Sequence, residues 1–487
     1  MGAYVSPGDV HKILSKHLLA DGLEIVCDLE KSRGSWIHDA RSGQKFLDMF
    51  TCFAILPLGF NHPSLADPDF QKRLGRIAVN KISNSDLYTV EMAEALQAFD
   101  RYAIPDYLPH LFLISGGALA VENGLKAAFD WKVQKNFRKG HKRDKGHQVI
   151  HFRHAFHGRS GYTLSLTNTA DPRKYQYFPK FDWPRIDPPE MRFPQNEQNL
   201  KSVKEAEERA LAQIQKAALN DPDDVACLIL EPILGEGGDK HFRPEFLKSL
   251  RRLADQHEFL LIFDEVQTGM GITGKMWAHE HWDVRPDLMV FGKKSQICGV
   301  MGGMRLDEVE RNVFVQPSRI NSTFGGSLVD LVRLGKILEV MHEEKLLDNA
   351  KVVGLHLLKR LQELEGDLDV VSNARGLGLM CAIDLPTPAR RDEVKKECYR
   401  QGMIILPSGT HSIRFRPALT VTKNEIDQFP RIFGRSKQRP YKVRRQKEAH
   451  ETIHRKTRDQ GIKLRCLRPQ RLAQKSGWCK SHLHDAD

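Results

Sequence analysis

Short apolar runs alternate with longer stretches of helical period through the middle of this chain, and no other feature restricts its fold as strongly. The runs fall at 111–114, 149–152, 225–230, 259–263, 288–291 and 300–304, each about one strand long. Stretches with helical spacing cover 118–137, 203–218, 244–257 and 329–343. Such alternation predicts an α/β fold built on a largely parallel sheet. Residues 168–199, rich in Pro and aromatics, predict a long irregular loop that lines something.

Past residue 335 the pattern changes. Helical stretches at 349–365 and 390–401 surround apolar runs at 376–384, 403–407 and 412–415, which predicts a smaller α+β domain. The expected organisation is a large domain over 66–334 and a smaller one over 335–429. Residues 1–65 form an N-terminal segment contributing to the small domain, and 430–487 a basic, disordered tail.

Charge supports that last division. The chain's net +12 invites a nucleic-acid reading, but residues 430–487 hold 17 Lys+Arg against 5 Asp+Glu. The preceding 429 residues carry 57 of each sign, a net of zero. Pro430 stops a helix-like start at 423–429, and the residues after it are polar and aperiodic. That composition favours a disordered extension over a nucleic-acid arm. Eight cysteines lie scattered with no CxxC pair, which suits free thiols in a reducing, cytoplasmic setting. No run approaches the roughly 18 apolar residues of a membrane span, and no secretory signal opens the chain, so no membrane partner is expected.

Four segments carry chemistry together. FDEVQTG (263–269) ends the most apolar run with a carboxylate, Asp264, where α/β sheets bind ligands. VFGKKSQICGVMGG places Lys293 and Lys294 after another run. A lysine amine there can form a Schiff base with a carbonyl cofactor, and pyridoxal 5′-phosphate (PLP) needs both a lysine and a carboxylate for its ring nitrogen. LFLISGGALAVENGLKAAFDW sets Gly116 and Gly117 between a strand and a long helix, a cradle for a phosphate. HAFHGRSG supplies an aromatic, Phe156, to stack on a ring, and Arg159 to meet a carboxylate. The rival reading of this last segment is a metal site from His151, His154 and His157, but a spacing of three suits neither a helix face nor a strand, and no acid lies near.

In this order and spacing the four segments resemble the class III (subgroup II) PLP-dependent aminotransferases, and among them the lysine ε-aminotransferases. The likeness runs over roughly residues 10–429 and is most specific in FDEVQTG, VFGKKSQICGVM, RINSTFGG and SGGALAVENGLKAA. Many family members carry a hydroxyl residue and a Glu after the SG pair. Here Gly117 and Ala118 stand in those places, which leaves the phosphate to backbone N–H groups and the helix dipole from this side.

The resemblance implies PLP-dependent transferase fold type I, PLP as cofactor, and a homodimer with shared active sites. It implies Lys293 as the Schiff-base lysine, with Lys294 the competing candidate. Asp264 then pairs with the ring nitrogen, Gln267 approaches the ring oxygen and Phe156 stacks on the ring. Thr323 reaches the phosphate of the neighbouring subunit. Arg159 and Arg414 are the two carboxylate clamps, Glu236 is the gate between them, and Glu231 is a further acid near the cofactor. The implied reaction moves the ε-amino group of L-lysine to 2-oxoglutarate, giving 2-aminoadipate 6-semialdehyde and glutamate. Two alternatives stand beside it: another ω-amine donor such as ornithine or 4-aminobutyrate, and a non-catalytic protein that binds nucleic acid through its tail.

Overall fold

The structure, a computed structural model, describes residues 5–429. The expectations for the tail from Pro430 lie outside the described residues.

The chain enters through β1 (Trp36–His38) and β2 (Lys45–Asp48) and passes the helices Pro68–Ala78 and Val90–Tyr102 before β3 (His110–Ile114). The long helix Gly117–Arg138 leads to β4 (Gln148–Phe152) and β5 (Arg185–Ile186), and the helix Glu197–Asn220 to β6 (Val225–Leu230). A hairpin of β7 (Ile233–Leu234) and β8 (Lys240–His241) precedes the helix Pro244–Gln256. Then come β9 (Leu260–Asp264), β10 (Leu288–Phe291) and β11 (Cys298–Gly302). Helices Leu328–Glu343 and Leu346–Asp367 connect to β12 (Ser372–Leu377) and β13 (Met380–Asp384). After the helix Pro388–Arg400 lie β14 (Met403–Ile404), β15 (Leu406–Ser408) and β16 (Ser412–Phe415).

Seven strands form the central sheet in the order β3-β11-β10-β9-β6-β4-β5. Every pair from β10 to β5 is parallel, and β11 alone runs antiparallel to both neighbours. All residues of β6, β9 and β10 are buried, because helices cover both faces, and this is why their sequences are apolar throughout. Gly124 lets the helix Gly117–Arg138 come close: a Cβ there would lie 3.2 Å from Val290 Cγ2. Four antiparallel strands, β12-β13-β16-β15, make a second sheet. In a third, β1-β2-β14, Met403 pairs with Leu47 and joins the two ends of the described chain.

Three expectations need correction. The run placed at 300–304 is the strand Cys298–Gly302, because Gly303 N–H turns to the Asp287 carbonyl and Met304 is exposed. The run at 376–384 is two strands, folded at Gly378, whose φ of 56° and contact with the Thr273 backbone admit no side chain. The loop at 168–199 contains β5, which extends the central sheet, and the start of the helix Glu197–Asn220. Among the described residues no helix is long and apolar enough to cross a membrane.

Candidate active site

The C-terminal ends of the parallel strands gather the chemistry. Register sets Val290 beside Asp264 and Leu230 beside Phe263, so Glu231, Asp264 and the Gly292–Lys293 step emerge at one edge. At the neighbouring end of β3, Gly116 (φ 108°) turns the chain into the helix Gly117–Arg138. No side chain caps that helix, so its first N–H groups are open to an anion. Gly117 and Gly292 both abut Val266, since a Cβ on either would lie 3.3 or 3.5 Å from its Cγ1. Gly158 (φ 127°) closes on the helix from the other side, where a Cβ would come within 2.6 Å of Ala118 Cβ. The cradle, the lysine segment and the Phe156 segment are thereby packed together.

Two adjacent acids at the end of β9 have different work. Glu265 accepts from the N–H groups of Ala278 and His279 and from Thr268 Oγ1, and so holds the next turn of the chain. Asp264 is buried, with Oδ2 2.7 Å from His157 Nδ1 and Oδ1 accepting from Val266 N–H. His157 Nε2 is buried without a partner. Glu231 accepts from the N–H groups of Phe156 at 2.9 Å and Gly235 at 3.0 Å, and thus ties the Phe156 segment to the loop that bears Glu236. Burial, with Asp264 nearby, pushes its carboxyl up to about 7 against the pull of His157.

The two lysines also part company. Lys294 is buried, and its Nζ donates to the Gln267 carbonyl at 2.7 Å. Burial and the neighbouring Lys293 depress its amine well below the usual lysine range. Lys293 has a left-handed φ of 54° and an amine with no hydrogen-bond partner among the described residues. Burial and then the Arg414 cation pull that amine down to about 8, while Asp264 and Glu231 oppose them.

Gln267 and the arginines complete the floor. Its Oε1 accepts from Arg416 Nη2 at 2.8 Å, Arg416 Nε at 3.0 Å and Arg414 Nη1 at 3.3 Å, which fixes the orientation of the amide. Arg416 is itself clamped by Asp239. Arg414 Nη2 donates to Glu236 Oε2 at 2.6 Å. Burial raises the Glu236 carboxyl, but Arg414 and Lys174 outweigh it and hold the acid below its ordinary range.

Of the residues singled out in the sequence, Gly117, Ala118, Phe156, Glu231, Glu236, Asp264, Gln267, Lys293 and Arg414 belong to this neighbourhood. Arg159 stands at its exposed rim, with Nε 3.4 Å from the Lys174 carbonyl. Thr323 is exposed and makes no hydrogen bond to the cluster among the described residues. The three histidines weighed as metal ligands diverge: His151 bonds to Val149 and Arg185, His157 to Asp264, and His154 packs against Gly237. Sequence reasoning missed Lys174, His157 as partner of Asp264, and the Arg416–Asp239 pair. Arg416 alone left a signal, as a second arginine two residues after Arg414 and directly beyond the end of β16.

A free desolvated amine, a buried carboxylate, an aromatic and an uncapped helix N-terminus, all at one sheet edge, fit PLP and define a PLP enzyme of fold type I. The family model "Aminotransferase class-III" matches residues 19–436. The L-lysine-epsilon aminotransferase of Mycobacterium bovis is 52% identical over 428 residues, covering 88% of this chain and 94% of that protein. Its counterpart from Amycolatopsis lactamdurans is 49% identical over 423 residues, covering 86% and 93%. The solved lysine aminotransferase from M. tuberculosis superposes with a TM-score of 0.87 at 50% identity, over 89% of this chain and 99% of that one. The chain belongs to the class III aminotransferases, and its cofactor is PLP.

Proposed function

We propose that the protein transfers the ε-amino group of L-lysine to 2-oxoglutarate, yielding 2-aminoadipate 6-semialdehyde and L-glutamate, as a homodimer in the cytoplasm. The observation that carries the reading is Glu236 in ion pairs with the buried Arg414 and with Lys174, beside a desolvated lysine. A site that takes one substrate with a single carboxylate and another with two needs a cation it can mask and unmask. Relatives named as L-lysine-epsilon aminotransferases at about half identity support lysine as donor. Among the described residues the cysteines are free and mostly buried, which supports the compartment.

In this reading residues 66–334 form the cofactor-binding domain, and 335–429 with 1–65 the smaller one. Lys293 anchors PLP, Asp264 meets its ring nitrogen and Gln267 its ring oxygen. Phe156 stacks on the ring, and the N–H groups at Gly117 and Ala118 hold the phosphate with Thr323 of the partner subunit. Bound PLP supplies an aldehyde that exchanges amines and an electron-poor ring that acidifies the adjacent C–H. Arg159 holds the lysine carboxylate at the rim, so the side chain reaches inward with its ε-amine. Glu236 masks Arg414 meanwhile. Once the substrate amine takes its place on the cofactor, Lys293 Nζ would be free to take the proton from the ε-carbon and deliver it to the former aldehyde carbon of PLP. Glu231 keeps the Phe156 and Gly235 backbones in place. When 2-oxoglutarate enters, Glu236 leaves and Arg414 takes its α-carboxylate.

A donor screen with 2-oxoglutarate as acceptor tests the reading, with glutamate measured and the lysine product trapped by 2-aminobenzaldehyde. The expected adduct derives from the 6-semialdehyde. Recovery of 6-amino-2-oxohexanoate, or faster turnover of ornithine or 4-aminobutyrate, would overturn it.

A further inference from the structure

Glu236 is held from two sides, and the outer holder is Lys174. Its Oε2 pairs with Arg414 Nη2 on the inner side at 2.6 Å. Its Oε1 accepts from Lys174 Nζ, which closes the turn Pro172–Lys174. Lys174 and Glu236 both line a cavity of about 390 Å³ outside the gate, with Asp171, Arg173, Arg391 and Thr410. The other cations of that cavity are committed. Arg173 is bound by Asp171, and Arg391 by Asp392 and the carbonyls of Gly409 and Thr410. Lys174 is therefore the cation there whose charge serves Glu236.

We propose that Lys174 is a specificity-determining residue: it receives Glu236 when that carboxylate leaves Arg414, and so lets the site admit a second substrate carboxylate. The inference rests on the proposed function, in which one substrate is dicarboxylic. A glutamate moved off Arg414 with no receiver becomes a part-buried, unpaired charge, and dicarboxylate binding has to carry that cost. With Lys174 in place the move exchanges one cation for another already in contact. Charge also balances, because Arg414, Lys174 and Glu236 sum to one positive charge and an arriving carboxylate neutralises it. The turn is well placed to sense both ends of the substrate, since its Lys174 carbonyl meets Arg159 Nε and its Nζ lies 5.7 Å from the Phe156 ring centroid.

The test compares Lys174→Met and Lys174→Arg with the wild-type holoenzyme. Calorimetry reads the binding of glutarate, a dicarboxylate without a reacting group, against pentanoate, its monocarboxylate counterpart. Loss of one charge-assisted contact predicts glutarate binding weaker by roughly 10- to 100-fold in Lys174→Met, with pentanoate unchanged within a few-fold. Lys174→Arg should restore glutarate binding. In single turnovers the loss should appear as a raised KM for 2-oxoglutarate and spare the lysine half-reaction. Equal weakening of both ligands, or unaltered glutarate binding in a variant with wild-type cofactor absorbance and Tm, overturns the role of Lys174. If the wild type itself binds glutarate no better than pentanoate, the fault lies in the dicarboxylate reading, and the receiver role falls with it.

Discussion

Two lysines that share a sequence dipeptide are told apart by what each amine touches. Lys294 has given its amine to the Gln267 carbonyl, whereas the Lys293 amine has no hydrogen-bond partner among the described residues. Borohydride reduction of the holoenzyme followed by peptide mapping should find the pyridoxyl label on Lys293. Lys293→Ala should lose the label, and Lys294→Ala should keep it while costing roughly 1–3 kcal/mol for the stranded carbonyl. A label on Lys294 would reverse the assignment. The Lys293 amine, drawn down to about 8, must be neutral to react, so uptake of PLP by the apo-protein should quicken as pH rises and level off above about 8. Arg414 is one cause of that depression. Arg414→Met removes the cation, so the amine holds its proton more tightly and the midpoint should move to higher pH in a stopped-flow series. At this scale the sequence is legible where a residue type is rare for its place, as with a lysine after an apolar strand. It is silent on Lys174, whose partner lies 62 positions away and whose type is ordinary for a loop.

Among elements, the parallel strands could be read from sequence because burial on both faces demands continuous apolar runs. The two-residue strands β7 and β8 could not, since two residues carry no period, yet their hairpin holds the loop that bears Glu236. The contact of the Gly158 turn with the helix Gly117–Arg138 was equally hidden, because it depends on a gap that only packing creates. Gly158→Ala tests it. A left-handed φ of 127° and a Cβ 2.6 Å from Ala118 predict a stability loss of roughly 1–3 kcal/mol in urea, together with weaker PLP binding. Unchanged cofactor affinity in the folded variant would separate the turn from the phosphate cradle.

For the molecule as a whole, every proposed functional residue lies within the family match at 19–436, while most of the net charge lies beyond it. Removal of residues 436–487 should leave turnover per folded protein within a few-fold and reduce salt-sensitive adsorption to nucleic acid. A truncated protein that folds but no longer takes up PLP would refute this. The pairing of β2 with β14 adds a matter of timing. Leu47 finds Met403 only after more than 350 intervening residues exist, and Arg414 and Arg416, together with the Arg416 carbonyl that receives Thr51 Oγ1, come later still. On the ribosome the central sheet and its lysine are synthesised well before Arg414 and Arg416. A nascent chain therefore carries Glu236 and Lys174 long before the arginine that Glu236 pairs with, and that ion pair is completed only within the last tenth of the described residues.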